Sequence, residues 1–398
     1  MPRMILCTYF SQKPGDAELR QEDINKLSEP YKDSKEPLDR RFHSAIDAAV
    51  PSAANLVRAI FADLDGHSFG ISWWKSVPVE ERILIGDYLY QCAEGIETNL
   101  VEARLHYLEW LDVREKQNAH LANFQFRTDH GEIKYKYQSA KAPIDELPHK
   151  QEGMHICGFL RAIGSSLDCL AGAIVGVLGL STSLRRIDIS SLETHLKNLK
   201  QDGTPVSQIQ TDFRNLFETE RAASGPEDWL SWTSQCRNML VHRGRRIIFG
   251  ELTDGDVVLF DAEGRTIPRT KVQLHLPKYP DKSDAETFIR YDVALNEDAD
   301  ITLTGVFYST KRFEERLSEG LLSVWRQRRN NPNLIQQPTT QWNTKIKPCN
   351  FVGYDQNAMP LKAAALASNQ VVGHRMRSAA VFDQHRSIWL NSPWNQKF

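Results

Sequence analysis

Near the middle of the chain, the run Cys236-Arg-Asn-Met-Leu-Val-His-Arg-Gly244 places a guanidinium, a carboxamide and an imidazole close together. Metal-free cleavage of RNA needs few parts beyond these. The ribose 2′-OH attacks the adjacent phosphate, a group with a pKa near neutrality moves protons, and a fixed cation stabilises charge on the phosphorane oxygens. His242 suits the proton transfer. Arg237 suits the cationic role because its planar fork matches phosphate oxygens. Asn238 can orient either the imidazole or the phosphate. Asn238 and His242 are four apart and share a helix face. Arg237 and His242, five apart, sit about 140° apart on a regular helix, and both reach one phosphate where a helix frays at its C-terminus. Arg243, Arg245 and Arg246 follow, with no acid between Asp228 and Glu251, and are candidate RNA contacts. The carboxyl end of a helix also favours imidazolium.

Arg-x-x-x-x-His is a weak pattern by itself. Chance gives about 0.6 matches in a chain with this many histidines, and this chain has one. The plainer reading of the same residues is a helix end dressed with cations that complement its dipole. Context strengthens the chemical reading: Asn follows Arg at once, and a basic Gly-containing turn follows the helix.

The elements that must position these groups read as mainly α. Residues 1–37 are polar and read as an irregular N-terminal arm. Apolar spacing of three and four predicts helices over 38–64, from Pro78 to about Asn118, over 151–180, weakly over 190–200, and over 205–222. Alternating aromatics around Asp-His-Gly predict a β-hairpin at 123–137, inserted between helices. The 151–180 helix is rich in small residues (Ala162, Gly164, Ser165, Ser166, Gly172, Gly176), which implies close packing as compensation for its glycines. It carries Asp168, a candidate to orient Arg237 or His242 or else a structural pair. Arg161 lies two turns away on the same face, either lining the cleft or forming an ion pair.

For the motif helix, Ser224 is the expected cap, with Pro226, Glu227 and Asp228 in the first turn and Gly244 at the end. Trp229 and Trp232 continue its apolar face and read as core. After 246 the period changes to two. A hairpin is expected from Arg246 across Thr-Asp-Gly-Asp to Phe260, with strands near 271–276, 287–295 and 301–308, then a helix over 310–328. Residues 38–246 would thus form a helical domain, 247–330 a smaller β-rich part plus helix, and 331–398 a polar basic tail that docks a partner or stays partly disordered. Arg326, Arg328 and Arg329, beside Trp325, could grip a phosphate backbone or simply decorate a solvated helix end.

The net charge of -2 is uneven: residues 311–398 hold thirteen Lys/Arg against five Asp/Glu, so the rest carries -10. Six scattered cysteines without a C-x-x-C pair argue against a zinc site or a disulfide framework and for a reducing, cytoplasmic setting. The apolar run Cys169–Leu180 is twelve residues, short of the about 20 that a membrane crossing needs, so a buried core helix is expected.

At Arg237–His242 the chain resembles the HEPN superfamily, all-α bundles that often carry Arg-Asn-x-x-x-His near the end of the last core helix. The stretch Phe-Leu-Arg-Ala-Ile-Gly-Ser-Ser-Leu-Asp168 also looks like the HEPN helix that packs behind the motif. The resemblance covers about 40–246 and is absent after 250. It implies a HEPN-like bundle, metal- and cofactor-free endoribonuclease activity, RNA as substrate, and a homodimer in which two motifs face one cleft. Anti-phage defence or toxin–antitoxin roles are common in that family, with a protein partner or antitoxin at the C-terminal part. A clear Glu-x-x-x-Lys partner motif is missing, and the hairpin and the β-rich part depart from minimal members. The competing class is a non-catalytic HEPN-like subunit that binds nucleic acid or acts as a scaffold; a DNA-binding regulator is a third.

Overall fold

In the computed structural model, the described residues are 43–44, 46–65, 70–71, 73–74, 79–122, 125–127, 133–135, 147–182, 186–243, 249–260, 266–282 and 293–334, with isolated positions 20, 22, 286, 351, 353 and 354. For some of them, including 240–243 and 249–272, only the backbone is described. Among the described residues the protein is mainly α. Its helices are α1 (Pro51–Ala62), α2 (Val79–Ala122), α3 (Leu147–Leu178), α4 (Ile189–Lys197), α5 (Pro205–Ser224), α6 (Trp229–Arg243) and α7 (Ala299–Asn330). The strands form three antiparallel pairs: β1 (Leu64–Asp65) with β2 (Gly70–Ile71), β3 (Gln125–Arg127) with β4 (Ile133–Tyr135), and β5 (Phe249–Phe260) with β6 (Thr266–His275).

Contacts between helices give their directions. Along α3, His155 meets His106 and Ser166 donates to the Ile96 carbonyl, so α2 and α3 run antiparallel. Along α7, Asp298 pairs with Arg114 and Thr304 bonds Tyr107, so α7 is also antiparallel to α2. Ser52 reaches Glu315 and Asp63 reaches Trp325, which sets α1 parallel to α7. One core joins these helices, with Leu56, Leu89, Trp110, Phe159, Ile163, Phe217, Phe313 and Trp325 all buried. The expected boundary at 246 therefore falls between elements that share this core.

Three helix starts follow local chemistry, and a fourth does not. Asp188, Thr204 and Asp298 each accept a backbone N–H from the first turn of α4, α5 and α7. Residues 43, 44, 46 and 47 are helical, but the chain is bent out of helix at Val50 (φ -117°, ψ 88°), as a residue preceding proline tends to be, so the helix expected over 38–64 is broken there and α1 starts at Pro51. Val50 has no capping side chain. Carboxylates from other helices take its place: Glu97 accepts the Val50 N–H at 3.1 Å and Glu315 the Ser52 N–H at 3.1 Å.

Three further expectations are corrected. Ser224 is the last residue of α5 rather than the cap of α6, and Asp228 stands just before α6 with a left-handed φ of 61°. Gly225-Pro226 lets α5 run to its full length and turn before α6 begins at Trp229. The segment 301–308 is not a strand. It is the first part of α7, because Leu303, Val306, Phe307 and Phe313 fall on one buried helical face and Asp298 caps it. Finally, Thr253–Asp256 is no hairpin turn. It lies within β5, which pairs with β6 on both sides of a register shift between Asp254 and Val258.

By length and composition the α3 segment Lys150–Leu178 is long and apolar enough to cross a membrane, longer than the expected twelve-residue run. Of its most apolar window, 78% is buried inside the protein. Its place in this fold is the core.

Candidate functional site

Helix α6 buries Trp229, Leu230, Thr233, Cys236 and Met239 on one side. Arg237 comes one residue after buried Cys236 and so stands at the edge of that face. Its stem lies across α3 at Gly164, where a Cβ would come 2.5 Å from Arg237 Cγ. The compensation for a mid-helix glycine is here an arginine side chain, seated in the space a methyl group would fill.

From that seat the guanidinium reaches two partners. One terminal nitrogen donates to the Asp168 carboxylate, and the other donates to Asn238 Oδ1 at 2.9 Å. The Arg237 and Asp168 side chains are 25% and 22% exposed, so the ion pair is half-enclosed but open on one side. Burial pulls the Arg237 pKa below its ordinary value; at neutral pH a guanidinium remains charged. The second Asp168 oxygen accepts the N–H of Ile189, the first residue of α4, at 3.2 Å. The positive end of the α4 dipole thus supports the carboxylate. One aspartate therefore ties α3, α4 and α6 together and fixes a cation at the surface.

The fold thus brings together Arg237, Asn238 and Asp168. Arg161 is exposed on α3, two turns before Asp168. The backbone of α6 continues through His242 and Arg243, whose side chains lie outside the described residues, as do Arg245 and Arg246 altogether. Trp229 and Trp232 serve the core: their indole N–H groups donate to the carbonyls of Arg221 and Pro277.

The cluster near Trp325 is corrected in part. Arg328 is buried at 4% exposure and donates to the Val177 carbonyl near the end of α3 and to the Leu334 carbonyl at 3.3 Å. It closes helix ends, in place of the solvated position expected, and burial draws its pKa down to about 10. Arg329 places Nε 3.0 Å from Asp63, which also accepts the Trp325 N–H at 2.8 Å. Arg326 is exposed. Val177 is nine residues past Asp168, roughly 13 Å along α3 at helical rise, so this cluster and the Arg237 site are separate places on the bundle.

The interior also holds ionisable groups away from the Arg237 site. Glu97 is buried and its pKa is pushed up to about 8, chiefly by desolvation, against the hydrogen bond from Val50. Glu314 is wholly buried, and desolvation raises it well above the usual carboxylate range. Lys311, lowered by burial, donates to the Asp47 carbonyl near the start of α1. Continuing the helical period from Leu303 would have placed Glu314 on the buried face.

Among the described residues, no group of three or more His, Cys, Asp or Glu side chains converges to hold a metal ion. A groove of about 460 Å³ lies between α5 and α7, lined by Phe213, Leu216, Val324 and Leu334 among others, and none of the Arg237 site residues borders it. Compared with known protein families, curated proteins and solved structures, the chain matches none.

Proposed function

We propose that this protein is a metal-independent endoribonuclease of HEPN type, with a HEPN-like bundle into which the β3–β4 hairpin is inserted. The observation that carries the reading is the built seat of Arg237: a cation held over Gly164, anchored by Asp168 and Asn238, in the same helix end as His242. A guanidinium so held needs little reorganisation to meet charge that develops on a phosphate. In this reading Arg237 stabilises the phosphorane, His242 moves the proton, and Asn238 and Asp168 position Arg237. Arg243, Arg245 and Arg246 add a basic path for the RNA, and exposed Arg326 is a separate candidate contact. A cytoplasmic homodimer with two facing sites, acting in anti-phage defence or as a toxin with a protein partner on the C-terminal part, completes the proposal.

One observation favours a second reading. Both terminal nitrogens of Arg237 already have protein partners, which suits a non-catalytic subunit that grips RNA or serves as a scaffold.

Cleavage assays on labelled RNA in EDTA separate the two. The ribonuclease reading expects cut RNA with cyclic phosphate ends from the wild type, and loss of cleavage in His242→Ala and Arg237→Gln. Intact RNA with the wild type, or equal cutting by both variants, sinks it. Retained RNA binding without cutting supports the second reading. Sedimentation of the free and RNA-bound protein as a monomer would count against the facing sites.

A further inference from the structure

On the α2–α3 contact, away from Arg237, His106 and His155 meet Nδ1 to Nδ1 at 3.3 Å, with ring centroids 5.6 Å apart and planes inclined by 52°. The centroid spacing is the contact distance plus one ring radius at each end, so the two nitrogens face each other head-on. Such a contact holds only if one Nδ1 carries a proton and the other offers a lone pair. Two imidazolium rings would set two N–H donors and two like charges against each other.

The seat of the pair is shaped for it. A Cβ at Gly158 would come 2.5 Å from His106 Cε1 and Nε2, so the His106 ring lies in a notch on α3 that only glycine leaves open. Glu102 places a carboxylate oxygen 4.0 Å from His106 Nε2, and Glu109 favours the charged form of His155. Both acids belong to α2; α3 faces His106 with His155 and the Gly158 notch. Burial first, and the charge of His106 second, lower the His155 pKa from its ordinary 6.5.

We propose that His106 and His155 form a one-proton clasp between α2 and α3, closed while at most one ring is charged and opened when acid charges both. The neutral His155 ring is the form the fold favours. Its contribution to stability is full above the ordinary value of 6.5 and is lost as pH falls through the lowered value in the folded chain. The proposal does not rest on the ribonuclease reading.

Nitrogen NMR of the full chain labelled in histidine gives the direct test. At about pH 7.5 one of the two Nδ1 atoms should be protonated and the other bare. Two bare Nδ1 atoms, with both protons on Nε2, would overturn the clasp. Melting curves supply the second test, using wild type, His106→Gln and His155→Gln. Between about pH 7.5 and pH 5, the wild type should lose about 2–4 °C more than either variant. Equal losses in all three would overturn it. The NMR test needs only the wild type and stands even where a variant fails to fold.

Discussion

Replacing Gly164 by alanine tests the seat of Arg237 with the smallest change of side chain. In the interior of α3 the added methyl favours the helix by up to about 1 kcal/mol. The same Cβ would lie 2.5 Å from Arg237 Cγ, 3.1 Å from its Cβ and 3.2 Å from its Cδ. Those atoms are the root of the side chain, held by a Cα within α6, so moving the tip gives no relief. Arg237 must change rotamer, and its guanidinium leaves Asp168. With the two side chains 25% and 22% exposed, the lost pair is worth only about 1 kcal/mol after solvent screening. The gain and the loss nearly cancel, so Tm should move by no more than about 4 °C. Activity should not be spared. If Arg237 is the fixed cation, cleavage of RNA should fall by about 10²–10³, as when one preorganised donor is lost elsewhere. Thermal melts and single-turnover cleavage, run on the same preparations, read both quantities. Wild-type cleavage by Gly164→Ala would refute the role of the seat, and a collapse in Tm would show that Gly164 serves backbone packing instead.

Asp168→Asn keeps an acceptor for the Ile189 N–H but removes the charge that anchors Arg237. Melting should drop by about 2–4 °C and RNA cleavage by about tenfold, whereas unchanged cleavage would deny Asp168 a positioning role. Glu97, raised to about 8, contributes stability that is complete below its ordinary 4.5 and is lost as pH rises through 8. Denaturation from about pH 5 to pH 9 should therefore show stability falling, by at most about 1.4 kcal/mol per pH unit from this one group. Glu97→Gln should flatten that slope while still accepting the Val50 N–H, and an identical slope in both proteins would disprove the assignment. Arg328→Met strands the carbonyls of Val177 and Leu334 and should cost about 1–3 kcal/mol in urea denaturation, with RNA binding unaffected. A loss of RNA affinity at unchanged stability would restore Arg328 to the nucleic-acid surface.

Much of the helical layout was legible before any coordinates. The apolar period of α2, α3 and α5 is long and regular, and such patterns survive whatever the elements pack against. Boundaries were less legible where two local signals competed. Pro51 broke a continuous apolar period, and Ser224 looked like a cap although it finishes the preceding helix. The β-branched and aromatic run Ile-Thr-Leu-Thr-Gly-Val-Phe-Tyr308 has strand propensity, yet it is helix. Burial of Leu303, Val306 and Phe307 against the bundle outweighs propensities worth a few tenths of a kcal/mol per residue.

At the site, residue order alone determined that Arg237, Asn238 and His242 share the last turns of one helix. It also marked Asp168 and Arg161 as polar groups on a mostly apolar helix. Only the tertiary structure decided that Asp168 meets Arg237, that the Arg237 stem lies over Gly164, and that Arg328 is buried while Arg326 is exposed. The physical reason is that periodicity reports which side of a helix turns inward, whereas a contact depends on how two helices are set against each other. A displacement of one residue along α3 would move the seat away from Arg237, and nothing in the local sequence of α6 records that register.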